Sequence, residues 1–232
     1  MIMNLCPRLR GRPRCQQAAI SRDDIIEQAF IAFAQQGYEG VSLRQLATIC
    51  GVSDSLLHHH FGSKHQLWQQ AADTHIAPLM NTLSSNLEQL AQSHHPASAL
   101  QQNLPQSLKN MISQPAALAF IFREGDLNNE RSEYLRQHYM RPYLARLDSL
   151  FNQAVEDGDF RPIPPAARHV LIMGFLRSLV IPAHLQDELA PYLQNQHQTF
   201  ALVDQIAELL LKGFSQSSPP TLGATPHVST TP

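Results

Sequence analysis

Between residues 21 and 63 four serines stand where helices would start, and Gly37 and Gly51 stand where helices would stop. Ser42 precedes Gln45 by three residues, the S-x-x-Q spacing in which side chains and backbone cap one another at a helix N-terminus. The short helix that follows presents Leu43, Leu46 and Ile49 at helical spacing. Gly51 breaks it, and Ser53 caps a second short helix running to about Phe61. Two short capped helices joined by a glycine turn form a helix-turn-helix. Ala47 is small where the two must approach, Gly51 suits a left-handed backbone, and Val52 and Leu57 point back into a shared core. In such a motif the second helix, Ser53 to His60, is the one that enters a DNA major groove.

The rest of the chain is also expected to be helical, so the fold class is all-α. Ser21, with Asp24 three residues on, starts a helix whose positions Ile25, Ile26, Ala29, Phe30, Phe33 and Ala34 trace one face, and Gly37 ends it. Ser63 caps a fourth helix carrying Leu67, Trp68, Ala71 and Ala72. Further helices are expected over residues 76–92, 97–112, 115–124, 131–157, 164–186 and 197–214. Pro142 is expected to kink or split its helix. Residues 215–232 have almost nothing to bury and read as a disordered tail. The expected organisation is an arm (1–20), a helix-turn-helix domain (21–68), a helical effector-binding and dimerisation domain (69–214) and the tail (215–232).

The N-terminus has no apolar signal core, and no apolar run approaches the length that crosses a bilayer, so a cytoplasmic location is expected. Three cysteines without a CxxC pair fit that compartment. Cys50 reads as a small buried hydrophobe, whereas Cys6 and Cys15 sit in the polar arm, where redox activity stays open. The net charge of −2 hides an uneven distribution. Arg8, Arg10, Arg12 and Arg14 lie in the first 21 residues with no acid among them, which marks the arm as the place to meet an anionic partner.

Three consecutive histidines, His58, His59 and His60, end the second short helix. Helical metal pairs need i,i+3 or i,i+4 spacing, and neighbouring residues diverge by about 100°. These rings therefore cannot chelate together, and no metal is expected. The surrounding residues supply the reading: Gly37-Tyr38, Gly51-Val52-Ser53, and the run Leu57-His58-His59-His60-Phe61-Gly62-Ser63-Lys64-His65-Gln66-Leu67. Over residues 21–68 this pattern resembles the DNA-binding domain of the TetR family of transcriptional regulators. The resemblance implies an N-terminal helix-turn-helix domain, followed by a helical ligand-binding and dimerisation domain. His58 stands where that family usually has a tyrosine whose hydroxyl reaches a DNA phosphate; histidine can donate a hydrogen bond there too, but its charge changes near neutrality. The candidate DNA-contacting residues are Ser42, Arg44, Ser53, Asp54, Ser55, Leu56, His58, His59, His60 and Lys64, with His60 expected to be partly packed.

Within the arm, Arg10-Gly11-Arg12-Pro13 resembles an AT-hook, an extended segment able to lay Arg10 and Arg12 in a narrow A·T-rich minor groove. Candidate lining residues for an effector cavity are Phe120, Arg123, Tyr139, Tyr143, Met173 and Arg177, with Met111 and Phe175 nearby in the pattern. Arg177 lies in an apolar run, so it needs an acid such as Glu124 or Asp148, a carbonyl, or an anionic ligand. The resemblance implies a homodimer through helices 164–186 and 197–214, with Leu171, Phe175, Leu179, Phe200, Val203, Ile206 and Leu210 facing the partner copy. Two-fold symmetry would match a palindromic operator. No GxSxG, HExxH, P-loop or dinucleotide fingerprint occurs, so neither an enzyme nor a cofactor is expected. The leading reading is a transcriptional regulator, a repressor released by a small-molecule effector. The alternative is an architectural A·T-rich DNA-binding dimer without an effector.

Overall fold

A computed structural model describes residues 20–92, 95–125, 128–180 and 186–215. The arm with Arg10, Arg12, Cys6 and Cys15, and tail residues 216–232, lie outside the described residues. Helices account for nearly all of the described chain, and the one β-bridge among the described residues joins Phe160 to Ser215.

The first four helices are α1 (Arg22–Gln36), α2 (Leu43–Cys50), α3 (Asp54–Phe61) and α4 (Lys64–Ala91). Their starts are built by the serines. Ser21, Ser42 and Ser63 form reciprocal capping boxes with Asp24, Gln45 and Gln66, and the Ser53 hydroxyl accepts from the Leu56 N–H. The turn between α2 and α3 places Gly51 at φ 66° and ψ 28°, the left-handed region where glycine alone is unstrained. Ile49 departs from expectation: it is 51% exposed, because α2 turns Leu46, Ala47 and Cys50 inward instead.

The helix begun at Ser63 does not stop near Ala72 as expected. One 28-residue helix, about 42 Å long at 1.5 Å per residue, runs through the stretch assigned to two. Asp73-Thr74-His75 does not end the helix, Pro78 is carried inside it, and Leu67, Trp68, Ala71, Ile76, Leu79, Met80, Leu83 and Leu87 form one buried stripe. Residue 68, the expected domain boundary, thus falls inside α4.

The remaining elements are α5 (Pro96–Ile112), α6 (Pro115–Gly125), α7 (Glu130–Leu135), a π-helical turn (Arg136–Met140), α8 (Arg141–Glu156), α9 (Pro165–Val180), α10 (Gln186–Leu189) and α11 (Gln196–Phe214). The expected helix over 131–157 is divided just ahead of Pro142, as the proline predicts. The π turn before it sends the Arg141 N–H back five residues to Arg136, and the proline sits in the first turn of α8, where its missing N–H costs little. Helix α9 is described only to Val180, short of the expected end at 186.

α1 packs on both α4 and α6, so the N-terminal helices and the larger helical body share one core. Phe120 of α6 stacks on Phe30 of α1 and on Trp68 of α4, each at 5.2 Å between ring centroids.

Candidate functional site

Helix α3 buries Leu57 and Phe61 and exposes the rest. Ser55, His58 and His59 are spaced i, i+3 and i+4, so they share the outer face, with Leu56 beside them at 37% exposure. His60 is also exposed, contrary to expectation. Its ring meets the edge of His59 at 5.4 Å and is tilted against Phe61 at 6.2 Å, with no core around it.

His58 Nδ1 lies 3.0 Å from the Gly62 carbonyl oxygen. A carbonyl can only accept, so Nδ1 carries the proton, and in the neutral ring Nε2 is an acceptor. The neutral imidazole therefore has no N–H left for a phosphate, which corrects the expectation of a neutral donor at this position. Only the doubly protonated ring offers Nε2–H outward.

Other residues of the expected interface divide between outward and inward roles. Arg44 and Asp54 are exposed on α2 and at the start of α3. Ser42 and Ser53 use their hydroxyls as caps. Lys64 turns inward: its ammonium donates to the Val41 carbonyl at 2.8 Å and lies 3.9 Å from the centre of the Tyr38 ring. Burial pulls its pKa below the ordinary lysine range.

Tyr38 is the hub of a contact between α1 and α6. The Arg131 guanidinium lies 3.7 Å from the centre of its ring, and its backbone N–H donates to Glu124 Oε1 at 3.1 Å. Glu124 is buried and also accepts from Arg131 Nε at 2.8 Å, while Arg131 reaches Glu39 at 3.2 Å. One residue earlier, Arg123 Nε donates to the Ala34 carbonyl at 2.8 Å. The end of α6 thus grips the end of α1 through two side chains.

The other face of α6 lines an apolar cavity of about 20 Å³ enclosed by α4, α5, α6, the π turn and α9. Leu118, Ile121 and Phe122 of α6 meet Met80, Met111, Met140 and Met173 there. Of the expected lining residues, Met111 and Met173 are at the cavity, whereas Phe120 and Arg123 face α1. The Tyr139 hydroxyl donates to Asp73 of α4, which also accepts from Tyr134 at 2.6 Å. Burial, with Asp73 adding to it, pushes the Tyr134 phenol up to about 12 and raises Tyr139 further; burial alone takes Tyr143 to about 12. Met80 and Met140 escaped the sequence reading, although Met80 fits the buried stripe of α4.

The deeply buried cation is Arg168 of α9, at 2% exposure, paired to Asp148 at 2.8 Å. Sequence reasoning placed this demand on Arg177, which is half-buried. Glu124 and Asp148, its expected acids, bind Arg131 and the Arg168–His169 pair. Apolar surface is left on α9 at Val170 (71% exposed) and Leu171 (48%), and on α11 at Leu209 (68%). Val203 is not part of it: it is fully buried on the face of α11 that packs on α5.

Among the described residues no group of His, Cys, Asp and Glu could hold a metal, and no helix is long and apolar enough to cross a membrane.

Residues 25–71 match the family model described as bacterial regulatory proteins, tetR family. The repressor AcnR of Corynebacterium efficiens is 39% identical over 66 residues, which are 28% of this chain and 35% of that protein. The chain thus spans about a third of the length of the curated relatives that it matches at this identity. The transcriptional regulator BetI of Serratia proteamaculans is 25% identical over 205 residues, covering 87% of this chain and 98% of that protein. Among solved structures, the TetR family regulator PfmR of Thermus thermophilus superposes with a TM-score of 0.63 at 19% identity, covering 85% of this chain and 99% of that one. That likeness extends the shared fold beyond the helix-turn-helix to the larger helical body.

Proposed function

We propose that the chain, whose residues 25–71 match the tetR family model, is a sequence-specific DNA-binding regulator of the TetR family, a repressor released from a palindromic operator by a small-molecule effector. Residues 21–68 act as the DNA-binding unit, and residues 69–214 bind the effector and pair two copies. Helix α3 enters the major groove with Ser55, Leu56, His58 and His59 toward the bases and phosphates. Arg44 and the Ser42 end of α2 lie against the backbone, and the Arg10–Arg12 arm reaches the adjacent minor groove. The exposed apolar residues of α9 and α11 support a two-fold interface between copies.

One observation carries the release step: the two faces of α6. Leu118, Ile121 and Phe122 face the cavity, and Phe120, Arg123 and Glu124 hold α1. A ligand that enlarges the cavity displaces α6, and α6 cannot move without α1 or the contacts between them changing. Because α1 belongs to the DNA-binding unit, the separation of two recognition helices in a dimer changes with it. The ligand needs only to favour the displaced arrangement over the DNA-bound one.

Footprinting the full chain on an inverted repeat upstream of a neighbouring gene tests this reading. Protection of both half-sites, one helical turn or a multiple apart, is the expected result. Uniform, position-independent protection would support the architectural alternative.

A further inference from the structure

The cavity and a recess beside it meet at Leu79 of α4, which lines both. The cavity holds no charged or hydrogen-bonding side chain: four methionines, from α4, α5, the π turn and α9, close on Leu118 and Phe122. At about 20 Å³ it has room for little more than one water, and it offers that water no partner. Methionine has three rotatable side-chain bonds and repacks at small cost, so this wall can open around an apolar guest.

The recess, about 280 Å³ and open to solvent, is lined by Pro78, Thr82, Asn110, Ser113 and Gln114. Its polar groups have a defined sense. The Thr82 and Ser113 hydroxyls donate backward to the Pro78 and Lys109 carbonyls, at 2.9 and 2.8 Å, which leaves both oxygens as acceptors. Asn110 Oδ1 accepts from Gln106 at 2.9 Å, which leaves its amide N–H groups as donors. None of the lining residues is charged. The nearest lysine in sequence, Lys109, points away to Asp204 of α11 at 2.6 Å.

From this juxtaposition we propose that the cavity and its recess form one site for an uncharged amphiphile, whose unbranched apolar body lies among the methionines and whose amide or hydroxyl head sits in the recess. This deepens the effector reading above and rests on it only for its consequence at DNA, not for binding itself. A head that both donates and accepts satisfies the Thr82 and Ser113 oxygens and the Asn110 amide together. A carboxylate would set a negative charge against two acceptor oxygens, and an ammonium would lose its hydration without gaining a counter-ion.

The test is a titration of the full chain, without DNA, with octanamide, decanamide, 1-decanol, decanoate and decylamine. The chain has a single tryptophan, Trp68, which stacks on Phe120 of α6, so its fluorescence reports displacement of the cavity wall, with calorimetry as a second readout. The amides and the alcohol are expected to bind saturably, with affinity rising about fourfold per methylene up to the length of the cavity. Decanoate and decylamine are expected to bind about tenfold more weakly or less. In Asn110→Leu, affinity for decanamide is expected to fall about three- to tenfold, because the head loses one neutral hydrogen bond. Equal binding of decanoate and decanamide, or no chain-length dependence in the parent protein, overturns the inference without recourse to any variant. Operator release, measured separately, keeps the two readings apart. Binding of the series without release supports this site and contradicts the release mechanism. Release by a charged molecule alone, with none of the uncharged series bound, does the reverse.

Discussion

Glu124, at the end of α6, accepts the backbone N–H of Tyr38 at 3.1 Å across 86 positions of sequence, and holds Arg131 with its other oxygen. Removing the carboxylate leaves a mostly buried guanidinium and a backbone donor without their acceptor. Glu124→Ala is therefore expected to cost about 3 kcal/mol in urea unfolding, the scale for breaking a buried pair from one side. Glu39→Ala removes the outer, 80% exposed partner of the same arginine and is expected to cost no more than about 0.5 kcal/mol. Comparable losses from the two would mean that the α1–α6 contact is not organised around Glu124.

The buried and part-buried tyrosines of α7, the π turn and α8 have an alkaline signature. Tyr134 and Tyr143 have folded-state pKa values near 12, above the value of about 10 in an unfolded chain. A group raised on folding gives stability that is full below the unfolded pKa and is lost as pH climbs through the folded one. The protein is expected to hold its stability up to about pH 10 and lose it progressively toward about 12. Absorbance at 295 nm and circular dichroism followed together check this. Complete phenol ionisation in a still-folded protein at pH 10 would contradict the buried placement.

In the proposed DNA interface, the tautomer of His58 ties its contact to a proton. With Nδ1–H committed to Gly62, phosphate contact through Nε2 requires the imidazolium, so contact and proton uptake occur together. Operator affinity is expected to rise as pH falls at fixed ionic strength, because the contact needs the second ring proton. His58→Tyr is expected to keep the affinity and remove part of the dependence. An unaltered pH profile in that variant would place the His58 ring away from the phosphates.

Serine and glycine punctuation made residues 21–63 legible, because capping boxes and the left-handed Gly51 are local chemistry that short windows of sequence display. Continuity of α4 was less legible: the polar run Asp73-Thr74-His75 reads as a gap between two segments, although Trp68, Ala72, Ile76 and Met80 keep one i,i+4 row across it. Burial over long distances was hardest. Arg168 and Arg177 both sit in helix α9 among apolar residues, and only packing against Asp148 of α8 makes Arg168 the buried one. The inward turn of Lys64 onto Tyr38 likewise depends on a neighbour 26 residues away. In the cavity, only the convergence of five elements distinguishes four methionines from ordinary core.

The basic arm supplies charge that the helix-turn-helix lacks, since residues 22–64 carry three Arg and Lys side chains (Arg22, Arg44, Lys64) against five Asp and Glu (Asp23, Asp24, Glu27, Glu39, Asp54). Replacing Arg10 and Arg12 together by alanine is expected to weaken DNA binding and lower the salt slope by about 0.9 for each phosphate that is no longer neutralised. Unchanged affinity and slope at low salt would make the arm a passive tail.

The central claim, that the outer face of α3 reads a specific DNA sequence, is tested most directly by competition between a footprinted palindrome and bulk DNA at one fixed salt concentration. The parent chain is expected to prefer the palindrome by about a thousandfold or more. Ser55→Ala combined with His59→Ala changes only exposed side chains, and is expected to lower that ratio by at least about tenfold, at roughly one to three kcal/mol for each base readout removed, with an unchanged melting temperature. A parent protein that binds the palindrome and bulk DNA equally, or a double variant with the parent's ratio, would contradict the account.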